Sequence, residues 1–403
     1  MMHFDSANPV SAQASVNGPQ RARPLKPPSA SLPMIAAGRS AKPFPPRTAS
    51  PVPNGPDRPP AGEWPLCTPR TVYFHLDNLS HSSAAWTPTK QSQPHNLTGG
   101  DRLSTTSDRI FMLSLGRRSR IVSVNSEGED LQTLVEGLES FPDGIAVDPV
   151  NRHLYYTFMG TTRDGEDYWE NEGYIERAGL DGSDRKVIVP IGHFFTGKQI
   201  QYVAANGRLY WCDREGLRVM SCRTDGSDIT TLVQTGTFAD REDRRRHCVG
   251  VAVDPKGGHL YWSQKGKPKG NEGRILRAPL ALPPGADPAR RTDIEVLFDG
   301  LPEPIDLEWD GETDTLYWTD RGDPPKGNTL NRARITGGKA GAHEIVFSGL
   351  SEGIGLAHDS HGRRMFVSDL KGALRAINLD RPDDGRIIYQ SRGALCGIAY
   401  LRG

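Results

Sequence analysis

One arrangement of apolar and polar positions returns along most of this chain: a short apolar strand, an acidic turn, and a second strand that ends in aromatic residues. It reads GIAVDPVNRHLYYTF from Gly144, QIQYVAANGRLYWCD from Gln199, GVAVDPKGGHLYWSQ from Gly250, DLEWDGETDTLYWTD from Asp306 and GLAHDSHGRRMFVSD from Gly355. Alternation on both sides of a tight turn predicts paired antiparallel strands. Between these lines lie two further strand patterns per copy, such as Leu217-Arg-Val-Met-Ser-Cys followed by Thr230-Thr-Leu-Val, with Asp225-Gly226 supplying the hairpin turn. Successive aromatic pairs stand roughly 50 residues apart, the size of a four-stranded propeller blade.

The five full copies leave one blade to be assembled from the two ends. Arg109-Ile-Phe-Met-Leu reads as a second strand with no first strand before it, and Ile121-Val-Ser-Val and Leu131-Gln-Thr-Leu-Val complete the outer part. At the far end Leu395-Cys-Gly-Ile-Ala-Tyr-Leu matches the missing first strand. The pattern therefore predicts an all-β, six-bladed propeller over 104–403. The C-terminal strand should close the ring beside Ile110–Leu113, because an open ring would leave two unpaired edges.

Composition changes the picture only before the repeats begin. Met1 to Pro65 holds nearly half of the chain's 32 prolines and few acidic residues. Each proline removes a backbone donor and fixes φ, so 1–103 is read as a disordered Pro/Ser-rich extension. A targeting segment, a proline-rich docking segment, or sequence absent from the mature protein are the alternatives. Asn78-Leu-Ser and Asn96-Leu-Thr match the glycosylation pattern, but no secretion signal precedes them, and a cytoplasmic location is the expectation. Lys plus Arg (49) balance Asp plus Glu (49), so no global field draws the chain to nucleic acid or anionic membrane. Five scattered cysteines without a CxxC pair argue against a disulfide framework or a zinc site.

Tyr317-Trp318-Thr319-Asp320 is the YWTD motif itself, and Tyr261-Trp262-Ser263 and Tyr210-Trp211-Cys212-Asp213 are variants. On these residues the chain resembles the low-density-lipoprotein-receptor class B propellers over about three-quarters of its length, without their EGF-like cysteine modules. It also resembles stand-alone fungal propellers that carry the run from Tyr317 to Arg332, some of which are similar to propeller-type hetero-Diels–Alderases. That resemblance implies a cofactor-independent enzyme of secondary metabolism, which dehydrates a precursor to a reactive diene and guides its cycloaddition.

Repetition argues for structure, so candidate function lies where the repeat is broken. The recurring aromatics should pack blade on blade, and Asp148, Asp254, Asp310 and Asp359 should cap turns. The breaks are long loops after the aromatic strands (159–173, 265–273 and 321–328) and chemically distinct segments leading into the inner strands. Both belong to one face, and a concave mouth there is the expected ligand site. Glu303 and Asp306 are candidate acids, being two carboxyls close in sequence that could hold a raised pKa. His247 and Gln199 are candidate hydrogen-bond donors to a carbonyl. Asp143, Glu352, Lys265 and Arg321 are candidate ligand contacts, each with turn chemistry, ion pairing or solvation as its plainer explanation. Tyr168 and Trp169, on a loop expected to be exposed, are candidate lid residues. Cys248 and Cys396 read as buried spacers.

No P-loop, GxGxxG turn, HExxH or GxSxG is present, which removes support for NTPase, dinucleotide, zincin and hydrolase chemistry. A calcium lactonase would need an Asn that the lead-in segments lack. A small natural-product substrate, with no cofactor or metal, is what the resemblance to the fungal propellers implies. A protein- or peptide-binding scaffold with its partner on the same face is the competing reading, and a purely structural propeller the third.

Overall fold

The computed structural model describes residues 108–162 and 167–403. The extension read over 1–103, with Cys67, Asn78 and Asn96, lies outside the described residues. The repeats form six antiparallel sheets, each with four main strands. Blade two runs Pro142–Asp148, His153–Phe158, Gly173–Gly179 and Lys186–Phe194 from the axis outward, and blade three Gly197–Val203, Arg208–Asp213, Arg218–Arg223 and Thr230–Gln234. Blade four is Cys248–Asp254, His259–Gln264, Gly273–Pro279 and Glu295–Leu301. Blade five is Pro304–Asp310, Thr315–Asp320, Thr329–Thr336 and Glu344–Ser348, with the two-residue strand Lys339–Ala340 beside it. Blade six is Gly353–Asp359, Arg364–Asp369, Ala373–Asn378 and Arg386–Gln390.

Blade one is shared by the two ends of the described fold, as the pattern predicts. Leu395–Leu401 is its inner strand and pairs antiparallel with Arg109–Ser114, with Ile110 opposite Tyr400 and Met112 opposite Ile398. Ser119–Val124 and Gln132–Leu138 complete it. No helix among the described residues is long and apolar enough to cross a membrane. The four described cysteines are unpaired and buried.

The core sits between blades rather than within them. Trp211, Trp262 and Trp318 are fully buried, and each apolar cluster draws on adjacent blades, as where Tyr155 and Phe194 of blade two meet Ile200 and Trp211 of blade three. The first aromatic of each pair reaches the next inner strand: Tyr155 stacks on Tyr202 with ring centroids 6.2 Å apart, and Tyr261 on Trp309 at 5.2 Å. Such contacts contribute beyond their buried area.

The last two motif positions have distinct tasks. The hydroxyl of Thr319 accepts from the N–H of Asp306 in its own blade and donates to the carbonyl of Ile354 in the next, at 3.1 and 2.8 Å. Ser263 joins Gly250 to Ile305 in the same way, and Thr157 joins Gly144 to Lys198. Where blade three carries Cys212, its thiol donates to the Gly250 carbonyl. Thr319→Val keeps the volume but leaves two buried backbone groups without their side-chain partner, and should lower unfolding free energy by about 2 kcal/mol in urea titration. The motif's aspartate instead holds the segment entering the inner strand: Asp320 accepts from the N–H of Glu303, and Asp213 from that of Thr196. At the opposite face Asp148, Asp254, Asp310 and Asp359 accept backbone N–H groups of their own turns, which is the capping role expected of them.

Candidate functional site

Because Asp320 fixes the entry of blade five, Glu303 is held at the mouth with its carboxylate turned inward, 1% exposed. There it meets cations from two of the long loops. Arg321 Nη2 lies 2.8 Å and Lys265 Nζ 3.4 Å from the same oxygen, while the other accepts from the Lys269 N–H at 3.1 Å. Burial pushes the Lys265 ammonium down to about 8, against the attraction of Glu303 and with the repulsion of Arg321. With its acceptors taken by two cations and an amide, Glu303 is a counter-ion, and the acid role expected of it passes elsewhere.

A second ion pair closes the neighbouring sector. Lys198 Nζ stands 2.5 Å from Asp143, whose other oxygen accepts from Gln199 at 3.2 Å. Tyr168 is buried rather than exposed, with the Arg214 guanidinium 5.6 Å from its ring centroid, so this loop points inward at that residue. Trp169 is half-buried and meets Arg241 instead. His247 is fully buried; its Nε2 donates to the Arg241 carbonyl at 2.7 Å and its Nδ1 has no partner. Burial pushes that imidazole down to about 4, so it is neutral at physiological pH. Glu352 is half-buried with positive φ, and its N–H donates to Asn328. The mouth thus brings together Asp143, Gln199, Glu303, Lys265, Arg321 and Tyr168, largely closed on one another, while His247, Trp169 and Glu352 have separate contacts. Cys248 is buried, and its thiol is pushed up to about 12, in keeping with a spacer.

The open space lies further along the axis. Aligned on the repeat, the six inner strands carry glycine at one position in four blades (Gly144, Gly250, Gly355, Gly397) and alanine two residues on (Ala146, Ala252, Ala357, Ala399). The glycines let inner strands touch: a Cβ on Gly250 would stand 2.0 Å from the Ile305 oxygen, and one on Gly397 2.5 Å from the Asp143 oxygen. Blades three and five alone break both columns, with Gln199 and Gln201 and with Asp306 and Glu308. All four side chains border a cavity of about 390 Å³. The cavity reaches the surface among Ala204, Ala205 and Pro255, on the face of the short turns opposite the long loops. Between mouth and cavity stands a ring of Val249, Ile305, Ile354 and Cys396, all buried.

Two carboxyl groups in this wall are strongly perturbed. Asp306 accepts from the N–H groups of Leu307 and Leu356, each at 2.9 Å, yet burial outweighs both and pushes it up to about 8, with the charge of Asp143 adding to the effect. Glu308 accepts from Gln201 at 2.8 Å, and burial with the neighbouring Asp306 pushes it to about 8 as well. Burial thus holds both groups above the ordinary carboxylate range, toward the protonated form that a general acid needs.

No protein-family model matches the chain. A protein of Pyricularia oryzae named low-density lipoprotein receptor-related protein 1 is 45% identical over 297 residues, covering 71% of this chain and 93% of its own length. The chain belongs to the low-density-lipoprotein-receptor-related family of YWTD propellers. A protein of Cochliobolus heterostrophus named 3-hydroxyacyl-CoA dehydrogenase-like protein LAM1 is 37% identical over 322 residues, covering 75% of this chain and 66% of that one. Among solved structures, the nidogen/laminin complex matches with a TM-score of 0.56 at 18% identity, over 73% of this chain and 98% of that one, a likeness of fold alone.

Within this YWTD propeller, Gln199 and Asp306 are the sequence-derived candidates that reach the cavity. Gln201 and Glu308 were missed, although their signal was present: an amide and a carboxyl in a column otherwise filled by alanine.

Proposed function

We propose that this YWTD propeller is a cofactor-independent enzyme acting on a small natural-product intermediate of fungal secondary metabolism, with chemistry of the hetero-Diels–Alderase kind. The observation that carries this reading is the pair Asp306 and Glu308, two carboxyls without a cation partner on the wall of an axial cavity large enough for a small molecule, both raised to about 8 by burial. In the first step Asp306 gives its proton to a hydroxyl of the substrate. The C–O bond breaks, water leaves, and a neighbouring O–H or C–H returns a proton to the carboxylate as the conjugated diene forms. In the second step the diene and an alkene form two bonds with no group lost. That step asks the protein chiefly for orientation, which the walls of a confined cavity supply. Gln199 and Gln201 border the cavity, and in this reading one of them turns its amide from Asp143 or Glu308 to donate to a carbonyl of the diene. Glu303, Lys265 and Arg321 close the mouth above, with Tyr168 as the inward part of a lid. The relatives in Pyricularia and Cochliobolus agree with a fungal setting. The helices among the described residues are single 3-10 turns, so none presents an N-terminus for a dinucleotide pyrophosphate, and the name of the Cochliobolus relative adds no support for redox chemistry here.

The test is conversion of a fungal metabolite extract by the full chain, followed by mass spectrometry for a product lighter by one water. Asp306→Asn keeps the side-chain volume and should lower the conversion rate by about 100-fold or more. An undiminished rate in that variant would remove the acid and the reading with it.

One observation favours a partner-binding scaffold instead. Phe238 is 53% exposed with the Arg241 guanidinium 3.7 Å from its ring centroid, and Trp169 lies on the same arginine, an aromatic and arginine patch of the composition that anchors protein interfaces. Retention of a partner by the wild type, lost in Phe238→Ala, together with no conversion of any extract component, would support that alternative.

A further inference from the structure

The wall of the axial cavity has a charge pattern that the fold does not explain. It contains two carboxyls and no lysine or arginine. Glu308 is met by a neutral amide and Asp306 by two backbone N–H groups, so neither has a counter-ion. Asp306 is buried and Glu308 half-buried, and carboxyls drawn out of water are ordinarily matched by a cation, as Glu303 and Asp143 are at the mouth of this same propeller. Four of the six blades show that the ring closes with glycine and alanine at these positions, so closure does not require the acids.

Toward the opening the wall becomes aromatic: Tyr202, Trp309, His358 and Tyr400 follow the glycine and alanine columns on the inner strands of four blades. Ring surface and carboxylate together are the combination that recognises organic ammonium ions. We infer that the axial cavity takes a ligand bearing a protonated amine, which enters from the face of Ala204, Ala205 and Pro255 and seats its ammonium against Glu308. Taking this ligand as the substrate rests on the reaction proposed above; binding of the amine does not. The groups that act on Glu308 or share its cavity wall are consistent with this seat: Asp306 and Asp310 on its own strand and Gln201 of blade three act on it, and Tyr202, His358 and Tyr400 line the same wall. None is a competing lysine or arginine. With Glu308 raised to about 8, an ammonium ion bound against it at pH 7 expels a proton to solvent, while Asp306, deeper in the wall, keeps its own.

The experiment is isothermal titration of the full chain at pH 7 with phenethylammonium and with 2-phenylethanol, which has the same ring but no charge. The ammonium should bind at least tenfold more tightly, and its heat should change between phosphate and Tris buffers because a proton is released. Glu308→Gln should cost at least tenfold in ammonium affinity and remove the buffer dependence. Ala205→Trp, a change at an exposed turn on the rim, should block the ammonium ion. Equal binding of the alcohol, unchanged affinity in Glu308→Gln or Ala205→Trp, or no binding at millimolar concentration would each overturn the inference. Conversion of extract, read separately with Asp306→Asn, decides the catalytic reading whichever way the titration falls.

Discussion

Deleting Leu395–Gly403 is expected to abolish cooperative folding of the propeller. The segment is under a tenth of the chain, but it contains the whole inner strand of blade one. Without it Arg109–Ser114 loses its axial partner, and blades six and two lose the strand that packs between them. Leu395, Cys396, Ile398 and Ala399 are buried, and Leu395 and Ile398 belong to the core shared with blade six. Each large apolar side chain contributes about 1.5–3 kcal/mol on burial, and the backbone groups of the exposed edges lose their partners besides. That sum is comparable to the ~5–15 kcal/mol by which a whole domain is stable. Far-UV circular dichroism should show no sigmoidal melt, and size-exclusion chromatography should show association through the opened edges. A single transition within about 1 kcal/mol of wild type would mean that the other blades hold the ring without closure.

The ring and its closure were legible because they depend on residues that repeat. Tyr317-Trp318-Thr319-Asp320 and its variants mark the blades, and the roles of Asp148, Asp254, Asp310 and Asp359 follow from their place in a turn. Contacts between blades at non-repeating positions were not legible. Nothing in the spacing says that Lys265 and Arg321, from different loops, meet on Glu303, or that Tyr168 turns inward beneath Arg214. Long loops signalled where the chain departs from the repeat; they did not show that their side chains fill the mouth. For this reason the expected site and the observed cavity lie at different levels of one axis, joined by Gln199 and Asp306. Gln201 and Glu308 differ in kind. A reading of the inner strands column by column finds them without a structure, since alanine occupies that position in the other four blades.

The same two carboxyls should make stability fall as pH rises through neutrality. In the unfolded chain Asp306 releases its proton near the ordinary 3.8 and Glu308 near 4.5, whereas in the fold both retain it to about 8. Between those limits the folded state binds more protons than the unfolded one, so unfolding free energy declines with pH and levels off above 8. At ~1.4 kcal/mol per pH unit, ionising Asp306 costs the alkaline fold up to about 6 kcal/mol relative to acid and ionising Glu308 up to about 5, less whatever water entering the cavity recovers. Other perturbed groups set the window for measurement. His247, held down to about 4, gives the opposite slope below 6.5, and Asp320, raised to about 7, adds the same slope only up to that value. Lys265, lowered to about 8, gives an opposing slope above it. Between about pH 7 and 8 Asp306 and Glu308 therefore dominate, and urea midpoints should shift downward across that unit. The double variant Asp306→Asn, Glu308→Gln removes both titrations, so its midpoints should be flat there and should exceed wild type at pH 8.5. A wild-type profile as flat as the variant's would mean that the carboxyls are ionised in the fold, and the acid proposed for catalysis would be lost with them.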